Sequence, residues 1–193
     1  MVKKLKYQNI TVTGKICTGS TTLATALAEK LGWKYRNSGQ IFREYMVRNK
    51  KPLENTTRSP DSIHHELDNY VINQLKKRKE QIFEGWLTGF MARDIPGVLK
   101  VLLICDDALR IDRLVNRDNM TVNQAKKHLK KREAENFKKW SKMYRATDFW
   151  EPKYYDLVID TYANSKEETL KKVLRELGYY NCLAENPAFL KQG

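Results

Sequence analysis

The feature that most constrains the fold is the segment TVTGKICTGSTTLATALAEKL, in which an apolar strand pattern leads through a glycine loop into a helix. Four residues separate the two glycines, the spacing of the phosphate-binding pattern G-x-x-x-x-G-K-[ST]. Backbone N–H groups in such a turn, and those at the helix start, bind an anion without side-chain charge. The segment therefore predicts a nucleotide-binding site made of Gly14, Lys15, Ile16, Cys17, Thr18, Gly19, Ser20, Thr21 and Thr22.

One position of this loop departs from the pattern, because Ser20 stands where the lysine is expected. Thr21 keeps the hydroxyl position, and we expect it to hold Mg²⁺, partly through water. Lys15 lies inside the loop and is a candidate to reach the phosphates in place of the missing lysine. Two alternatives stay open: Lys15 as a solvated surface lysine, and the loop as a glycine-rich turn without a ligand.

Apolar runs alternate with helical periodicity along the chain, which is typical of a parallel α/β sheet. Five strands are predicted, at residues 7–13, 33–36, 81–85, 100–105 and 155–161. The helix after the loop carries an apolar stripe of Leu23, Leu27 and Leu31. Further helices are predicted at residues 40–48, 61–79, 108–115, 121–144 and 166–177, the second of them capped by Asp61 or Ser62.

The chain is strongly basic, with 36 Lys and Arg against 23 Asp and Glu and a formal net charge of +13. Such an excess attracts polyanions, either nucleic acid or a small phosphorylated ligand. Much of it lies in residues 121–144, TVNQAKKHLKKREAENFKKWSKMY, where only two glutamates oppose the lysines and arginine. This helix suits a lid that closes over a triphosphate, and it equally suits an RNA-binding surface.

Length and composition favour one cytoplasmic domain with a hydrophobic core. The chain has 193 residues, of which 41% are hydrophobic, so disorder throughout is not expected. Its three cysteines are isolated, which favours reduced, metal-free thiols. We find neither the pattern of a signal peptide nor an apolar run of about 18 residues, so we expect no membrane segment.

Two single residues are candidates for a site at the carboxyl ends of the strands. Arg43 follows the second strand and has the bidentate fork that grips a phosphate. Glu84 ends the third strand, where a carboxylate can orient a Mg²⁺-bound water or the attacking group, although a helix-capping role is the alternative. Asp106 and Asp107 end the fourth strand and are interpreted as caps of the next helix. His64 and His65 are interpreted as surface residues.

The order of these segments resembles the nucleoside monophosphate kinases, and most closely the cytidylate kinases of archaeal type. That branch typically carries Gly-Ser-Gly-Thr-Thr in its phosphate loop, so a loop without lysine is compatible with a working site. The resemblance extends from about residue 8 to residue 177. It rests on SGQIFR at 38–43, IHHELD at 63–68, EGWLTGFM at 84–91, Arg132-Glu133 with Lys139-Trp140 and Tyr144, and YDLVIDT at 155–161.

The resemblance implies a three-layer α/β P-loop fold with a parallel five-stranded sheet and a helical lid. It implies a core at about 7–37, 80–116 and 154–177, a monophosphate-binding insert at 38–79, a lid at 117–150 and a tail at 178–193. The implied reaction moves the γ-phosphoryl group of ATP, with Mg²⁺, onto a nucleoside monophosphate, CMP or dCMP by preference. We expect a cytoplasmic monomer, for which nucleic acid is a possible but not a favoured partner.

The resemblance also assigns roles to individual residues. Acceptor binding falls to Ser38, Gly39, Phe42, Arg43, Asp68, Glu84, Gly85, Trp86 and Gly89, and catalysis to the lid residues Arg132 and Lys139. Lys15, from its position in the loop, and Arg117 are further candidates for catalysis. Two of these positions depart from the family, because Trp86 replaces an arginine that would contact phosphate and Lys139 replaces a lid arginine. Two alternatives therefore stay open: a kinase of another small acceptor, and a P-loop module without turnover that binds RNA.

Overall fold

The computed structural model describes residues 5–50 and 59–180 of the chain. Five parallel strands form one sheet in the order β2-β3-β1-β4-β5. The strands are β1 (Asn9–Gly14), β2 (Lys34–Asn37), β3 (Gln81–Gly85), β4 (Val98–Ile104) and β5 (Leu157–Asp160). The helices are α1 (Ser20–Leu31), α2 (Ser38–Arg48), α3 (Asp61–Lys77), α4 (Thr88–Met91), α5 (Asp107–Asp118), α6 (Val122–Tyr144) and α7 (Lys166–Glu176), with a 3₁₀ turn at Pro152–Tyr154.

The central strand β1 is buried along its whole length, between β3 on one side and β4 on the other. Because every strand runs parallel, all five carboxyl ends meet at one edge of the sheet. Open α/β sheets bind ligands at this edge, where the strand order reverses. The glycine loop leaves the sheet there, directly after β1.

Helices cover both faces of the sheet, which confirms the predicted three-layer α/β fold. On one face α1 and α7 pack with buried leucines, including Leu27 and Leu174, against isoleucine and valine side chains of β1, β3 and β4. On the other face α2 and α3 place Ile41 and Leu75 against Phe83 of β3. Both faces are apolar, as the near-continuous apolar runs of the strands require.

The long basic helix α6 is held by packing at both ends. Its start carries a capping box, in which Thr121 and Gln124 each satisfy the other's backbone N–H group. Near that end Leu129 packs with Leu114 of α5 and with Ile16 of the glycine loop. Its far end and the segment that follows contribute to an aromatic cluster, made of Trp86, Phe90, Trp140, Tyr144, Phe149, Trp150 and Tyr154.

Several predicted boundaries were wrong by one to a few residues. The first strand starts at Asn9 and α2 already at Ser38, where the Asn37 side chain caps it by accepting from the Gln40 N–H at 3.0 Å. Neither Asp61 nor Ser62 caps α3, whose cap position is Pro60, and the helix ends at Lys77. The other bounds that differ are those of β2, β4, β5, α5, α6 and α7.

Some of the predictions made from sequence are confirmed, and others lie outside the described residues. The predicted capping of α5 is confirmed, because the Asp106 carboxylate accepts from the Ala108 N–H at 2.7 Å. Among the helices in residues 5–50 and 59–180, none combines the length and apolarity that a membrane span needs. Most of the tail predicted from residue 178 onwards and most of the loop before α3 fall in the stretches 181–193 and 51–58, outside the described part of the chain.

We expect Gly89→Ala to destabilise the protein by about 1–3 kcal/mol, the usual cost of overpacking a filled interior. A Cβ atom there would lie 2.3 Å from the Tyr155 ring and 2.9 Å from the Thr13 hydroxyl oxygen. Tyr155 is fixed in turn by its hydrogen bond to the Phe149 carbonyl, at 2.7 Å. Urea denaturation measures the change in unfolding free energy.

Gly39→Ala is the control for this substitution, because the nearest atom to its Cβ lies 3.1 Å away, on the Asn37 side chain. We expect a clearly smaller effect on stability than at Gly89. Equal destabilisation by the two alanines would contradict the packing argument.

Candidate active site

The glycine loop from Gly14 to Gly19 forms a tight turn that requires both of its glycines. A Cβ atom at Gly14 would lie 2.2 Å from the Thr18 hydroxyl oxygen, and Gly19 has a φ of +93°. No side chain in the described part of the chain caps α1, and its first turn carries no acidic residue. The N–H groups at the start of α1 are therefore available to an anionic ligand.

Two arginines of α5 hold the loop by its carbonyl groups. Arg110, which is 3% exposed, donates to the Ile16 carbonyl at 2.8 Å, and Arg113 donates to the Cys17 carbonyl at 3.0 Å. Because trans peptides point their C=O and N–H groups in opposite directions, carbonyls bound to the arginines turn the next N–H groups to the other side. The arginines therefore favour a loop shape that presents its amides away from α5.

Both arginines are fixed by further partners. Arg110 pairs with Asp107 of α5 and with Glu133 of α6. Arg113 bonds the side chain and the carbonyl of Thr161 after β5, and the Thr161 hydroxyl donates to the Thr18 carbonyl at 2.9 Å. Neither arginine was predicted from the sequence, although their i, i+3 spacing places them side by side on α5.

Glu84 is a buried carboxylate at the carboxyl end of β3 and is 5% exposed. One of its oxygens accepts from the hydroxyls of Ser20 at 2.8 Å and Thr21 at 2.9 Å. The other accepts from the Tyr35 hydroxyl at 2.6 Å and from the Asn37 amide. Burial, with this carboxylate beside it, raises the pKa of Tyr35, so the phenol stays a donor. The predicted capping alternative for Glu84 is wrong.

This arrangement is suited to a hard divalent cation. None of the ion pairs in the described part of the chain involves Glu84, so its buried charge has hydrogen bonds but no basic partner. Because the Thr21 hydroxyl gives its proton to Glu84, its oxygen lone pairs remain free to bind a metal. No cluster of three acidic, His or Cys ligands occurs among the described residues, so the remaining ligands would be water and phosphate.

Two cavities meet at the glycine loop. A cavity of about 810 Å³ lies over α1 between α5 and the start of α7. A second cavity, of about 370 Å³, lies between the loop, α2, α3, the end of β3 and α6. The two share Cys17, Ser20, Thr21 and Arg117. Ligands in the two cavities would therefore face one another across the end of the glycine loop and the first residues of α1.

The second cavity brings together most of the residues predicted for acceptor binding. Its lining contains Ser38, Gly39, Phe42, Arg43, Asp68, Glu84, Gly85 and Trp86. Gly89 does not line it, because this residue is buried beneath and its N–H donates to the Thr13 hydroxyl. Among the loop residues predicted to bind nucleotide, Thr18 is buried and serves the turn itself, since its hydroxyl donates to the Lys15 carbonyl at 3.0 Å.

The four predicted catalytic cations have different surroundings. Lys15, Arg117 and Arg132 all line the second cavity. Arg117 pairs with Asp118 at 2.7 Å, and the Lys15 ammonium lies 5.1 Å from the centroid of the Trp150 ring. Lys139 is not part of the lining, because it bonds the Ser59 carbonyl and lies 3.5 Å from Asp61, the first residue of α3. It joins α6 to α3 in the structure.

A second contact between α6 and α3 joins Tyr144 to Asp68. The Tyr144 hydroxyl donates to the Asp68 carboxylate at the wall of the second cavity. Burial raises the pKa of Asp68 to about 6, and the hydrogen bond from Tyr144 opposes part of that rise. Burial raises the pKa of Tyr144 as well, so the phenol remains the donor of this bond.

The prediction that both histidines are surface residues was wrong for His64. Its ring stacks on Phe42 at a centroid distance of 5.5 Å, and its Nε2 lies 2.7 Å from the Ser59 hydroxyl oxygen. His64 therefore forms part of the wall of the second cavity. His65 is exposed as expected, with an edge contact to Tyr144.

Comparison with known proteins identifies the family of the chain that carries this site. A cytidylate kinase from Pyrococcus furiosus is 34% identical over 155 residues, which cover 79% of this chain and 79% of that protein. Two solved structures share the fold at low identity. They are an uncharacterised protein from Eubacterium ventriosum (TM-score 0.70, 14% identity, 88% of this chain and 98% of that one) and a shikimate kinase from Acinetobacter baumannii (TM-score 0.55, 18% identity, 88% and 92%).

The likeness to the two solved structures covers most of the chain and shows a P-loop kinase fold. The model of the cytidylate kinase-like family matches residues 9–163. This range contains the glycine loop at which the two cavities meet, the whole lining of the second cavity, and α6. The chain belongs to the cytidylate kinase-like family.

Proposed function

We propose that this protein transfers the γ-phosphoryl group of ATP to the phosphate of CMP or dCMP, with Mg²⁺, to give ADP and the nucleoside diphosphate. The observation that carries the proposal is the meeting of two cavities at one phosphate loop. A donor in the larger cavity and an acceptor in the smaller one would have their phosphates side by side. Holding two reactants in this way removes much of the entropic barrier to transfer.

Loop amides and the start of α1 bind the phosphates of the donor in this reaction. Thr21 and Glu84 would hold Mg²⁺, since the Thr21 hydroxyl donates to Glu84 and keeps its lone pairs free, and the Glu84 carboxylate has no basic partner. The cation would neutralise charge on the phosphates. Ser20, at the position of the usual lysine, is bonded to Glu84 and carries no charge.

The positive charge that Ser20 lacks comes from other elements. Lys15, Arg117 and Arg132 all reach the cavity that would hold the acceptor, from the loop, α5 and α6. Electrostatic stabilisation of the transferred group is the main source of rate in phosphoryl transfer. Because the acceptor phosphate is already a nucleophile, the mechanism needs no covalent intermediate.

Recognition of the acceptor falls to α2 and α3. Arg43 of α2 lies exposed on the wall of the second cavity, where it can grip the acceptor phosphate. Asp68 of α3 lies deeper in the same wall, and a carboxylate accepts hydrogen bonds from the exocyclic amine of cytosine. The same carboxylate repels the carbonyl oxygen at that position in uracil, so we propose a preference for CMP over UMP.

A coupled assay of ADP release with CMP, dCMP, UMP and AMP tests the reaction. We expect turnover with CMP and dCMP to exceed that with UMP by at least about tenfold, the effect of one favourable hydrogen bond replaced by a repulsive contact. Turnover only with a different acceptor would contradict the substrate assignment. No turnover together with salt-sensitive RNA binding would contradict the enzyme itself, because phosphate contacts along a nucleic acid release counterions.

We propose further that the protein acts in the cytoplasm as a monomer, with α6 and the residues around it as the lid. Residues of this chain line both cavities, and this supports the monomer. The residues that close the second cavity from the lid side include Arg132, Asn136, Trp140 and Tyr144.

Replacing Arg132 by methionine tests the role of the lid cations. We expect Arg132→Met to lower kcat by on the order of 100-fold, because it removes a charge aimed at the transferred group. Lys142→Met is the matched control, since Lys142 is an exposed lysine of the same helix outside both cavities. We expect its kcat within about twofold of wild type. Similar losses in both variants would show a general effect of basic charge.

The raised pKa of Asp68 makes the stability of the protein depend on pH. Protonated Asp68 favours the folded state, so this contribution is full below the ordinary pKa of 3.8 and is lost as pH rises through about 6. Asp68→Asn keeps the shape and removes the titration. Relative to wild type, we expect the variant to gain about 1.4 kcal/mol of stability between pH 5 and pH 8, close to the value of one pKa unit.

Urea denaturation of both proteins at the two pH values measures this difference. An equal pH dependence in wild type and Asp68→Asn would show that Asp68 titrates normally. The CMP preference is measured separately, as the ratio of kcat/KM for CMP and UMP, which we expect to fall in the variant.

A further inference from the structure

Lys15 has an aromatic partner, and that partner has no assigned role. The Lys15 ammonium lies 5.1 Å from the centroid of the Trp150 ring, within the range of a cation–π interaction. None of the ion pairs among the described residues involves Lys15. The tryptophan ring is therefore the group that determines where this ammonium lies before a ligand binds.

Trp150 is itself firmly fixed. Its Nε1–H donates to the Trp86 carbonyl at 3.0 Å, which ties the ring to the segment after β3. On the other side it packs against aromatic residues of α6, stacked on Phe137 at 6.3 Å and edge-on to Trp140 at 6.5 Å. The ring thus joins the glycine loop, the exit of β3 and the lid helix at one point.

We propose that Trp150 is a positioning residue, which holds Lys15, a residue of the second cavity's lining, in place when the lid helix is packed against the aromatic cluster. The inference rests on the proposed phosphoryl transfer. Lys15 and Trp86 line the acceptor cavity, and the loop itself supplies no lysine at position 20. A cation–π contact orients the ammonium without a counter-charge beside it, so its positive charge stays available to a phosphate.

The structure also explains why a tryptophan suits this task better than an acid. A carboxylate beside Lys15 would neutralise the charge that the phosphates need, whereas an aromatic face orients the ammonium without cancelling it. Because Trp150 rests on α6 side chains, movement of α6 away from the sheet would withdraw the ring and release Lys15. The position of the lid and that of the loop cation are thereby linked.

A double-mutant cycle between Trp150→Leu and Lys15→Met tests this link. We expect Lys15→Met to lower kcat by on the order of 100-fold and Trp150→Leu by about tenfold, with little change in KM for CMP. If Trp150 acts through Lys15, the double variant is no slower than Lys15→Met alone. Trp150→Phe keeps a ring face and is expected to retain most of the wild-type kcat.

Tyr154→Leu is the control for aromatic packing, because Tyr154 belongs to the same aromatic cluster but packs on Phe90, at 5.1 Å. None of the ring contacts of Trp150 in the described part of the chain involves Tyr154. The effect of Tyr154→Leu is expected to be the same in the wild-type and Lys15→Met backgrounds. Multiplicative effects of Trp150→Leu and Lys15→Met would overturn the proposal, as would an unchanged kcat in Lys15→Met. Thermal unfolding of each variant separates loss of positioning from loss of fold.

Failure of the proposed function is distinguishable from failure of this inference. Absence of turnover with all four acceptors in the wild type would refute the kinase alone. In that case the double-mutant cycle is repeated with the Kd for Mg-ATP, measured by calorimetry, as the readout. We expect Lys15→Met and the double variant to weaken Mg-ATP binding to the same extent. A further loss of affinity in the double variant would refute the positioning role of Trp150.

Discussion

Glu84 accepts hydrogen bonds from the first two residues of α1 and from two residues of β2, and all other parts of the site are arranged around it. Burying a carboxylate without a basic partner is costly unless its lone pairs are satisfied, and here four donors satisfy them. Those donors fix the start of α1 relative to β2. Asn37 also caps α2, so the wall of the second cavity depends on the same carboxylate.

The proposed phosphate loop carries Ser20 in place of the usual lysine, and its shape and charge come from other residues. Arg110 and Arg113 bind loop carbonyls, which favours a shape that presents the loop amides away from α5. Positive charge towards the cavity comes from Lys15, Arg117 and Arg132, which belong to three different elements. Because these three cations belong to separate elements, all of them reach the cavity only when the loop, α5 and α6 are packed together.

Much of the architecture could be predicted because its signals are local. The spacing of the glycines predicted the loop, and the apolar runs predicted the parallel strands. Both patterns lie within a few consecutive residues. Residues whose partners are distant in sequence were harder to assign. Gly89 was predicted to bind the acceptor, but this position requires a glycine because a Cβ atom there would collide with the Tyr155 ring. Arg110 and Arg113 were missed because main-chain carbonyls, their loop partners, leave no trace in a side-chain pattern.

The exposed lysines of α6 have a consequence for how fast ligands arrive. Lys126, Lys127, Lys130, Lys131, Lys138 and Lys142 project into solvent from the helix that borders the second cavity. They line neither of the two cavities, but their summed field extends about a Debye length into solution. Nucleotides are anions, so this field draws them towards the cleft and raises the rate of diffusional encounter, increasingly so as ionic strength falls.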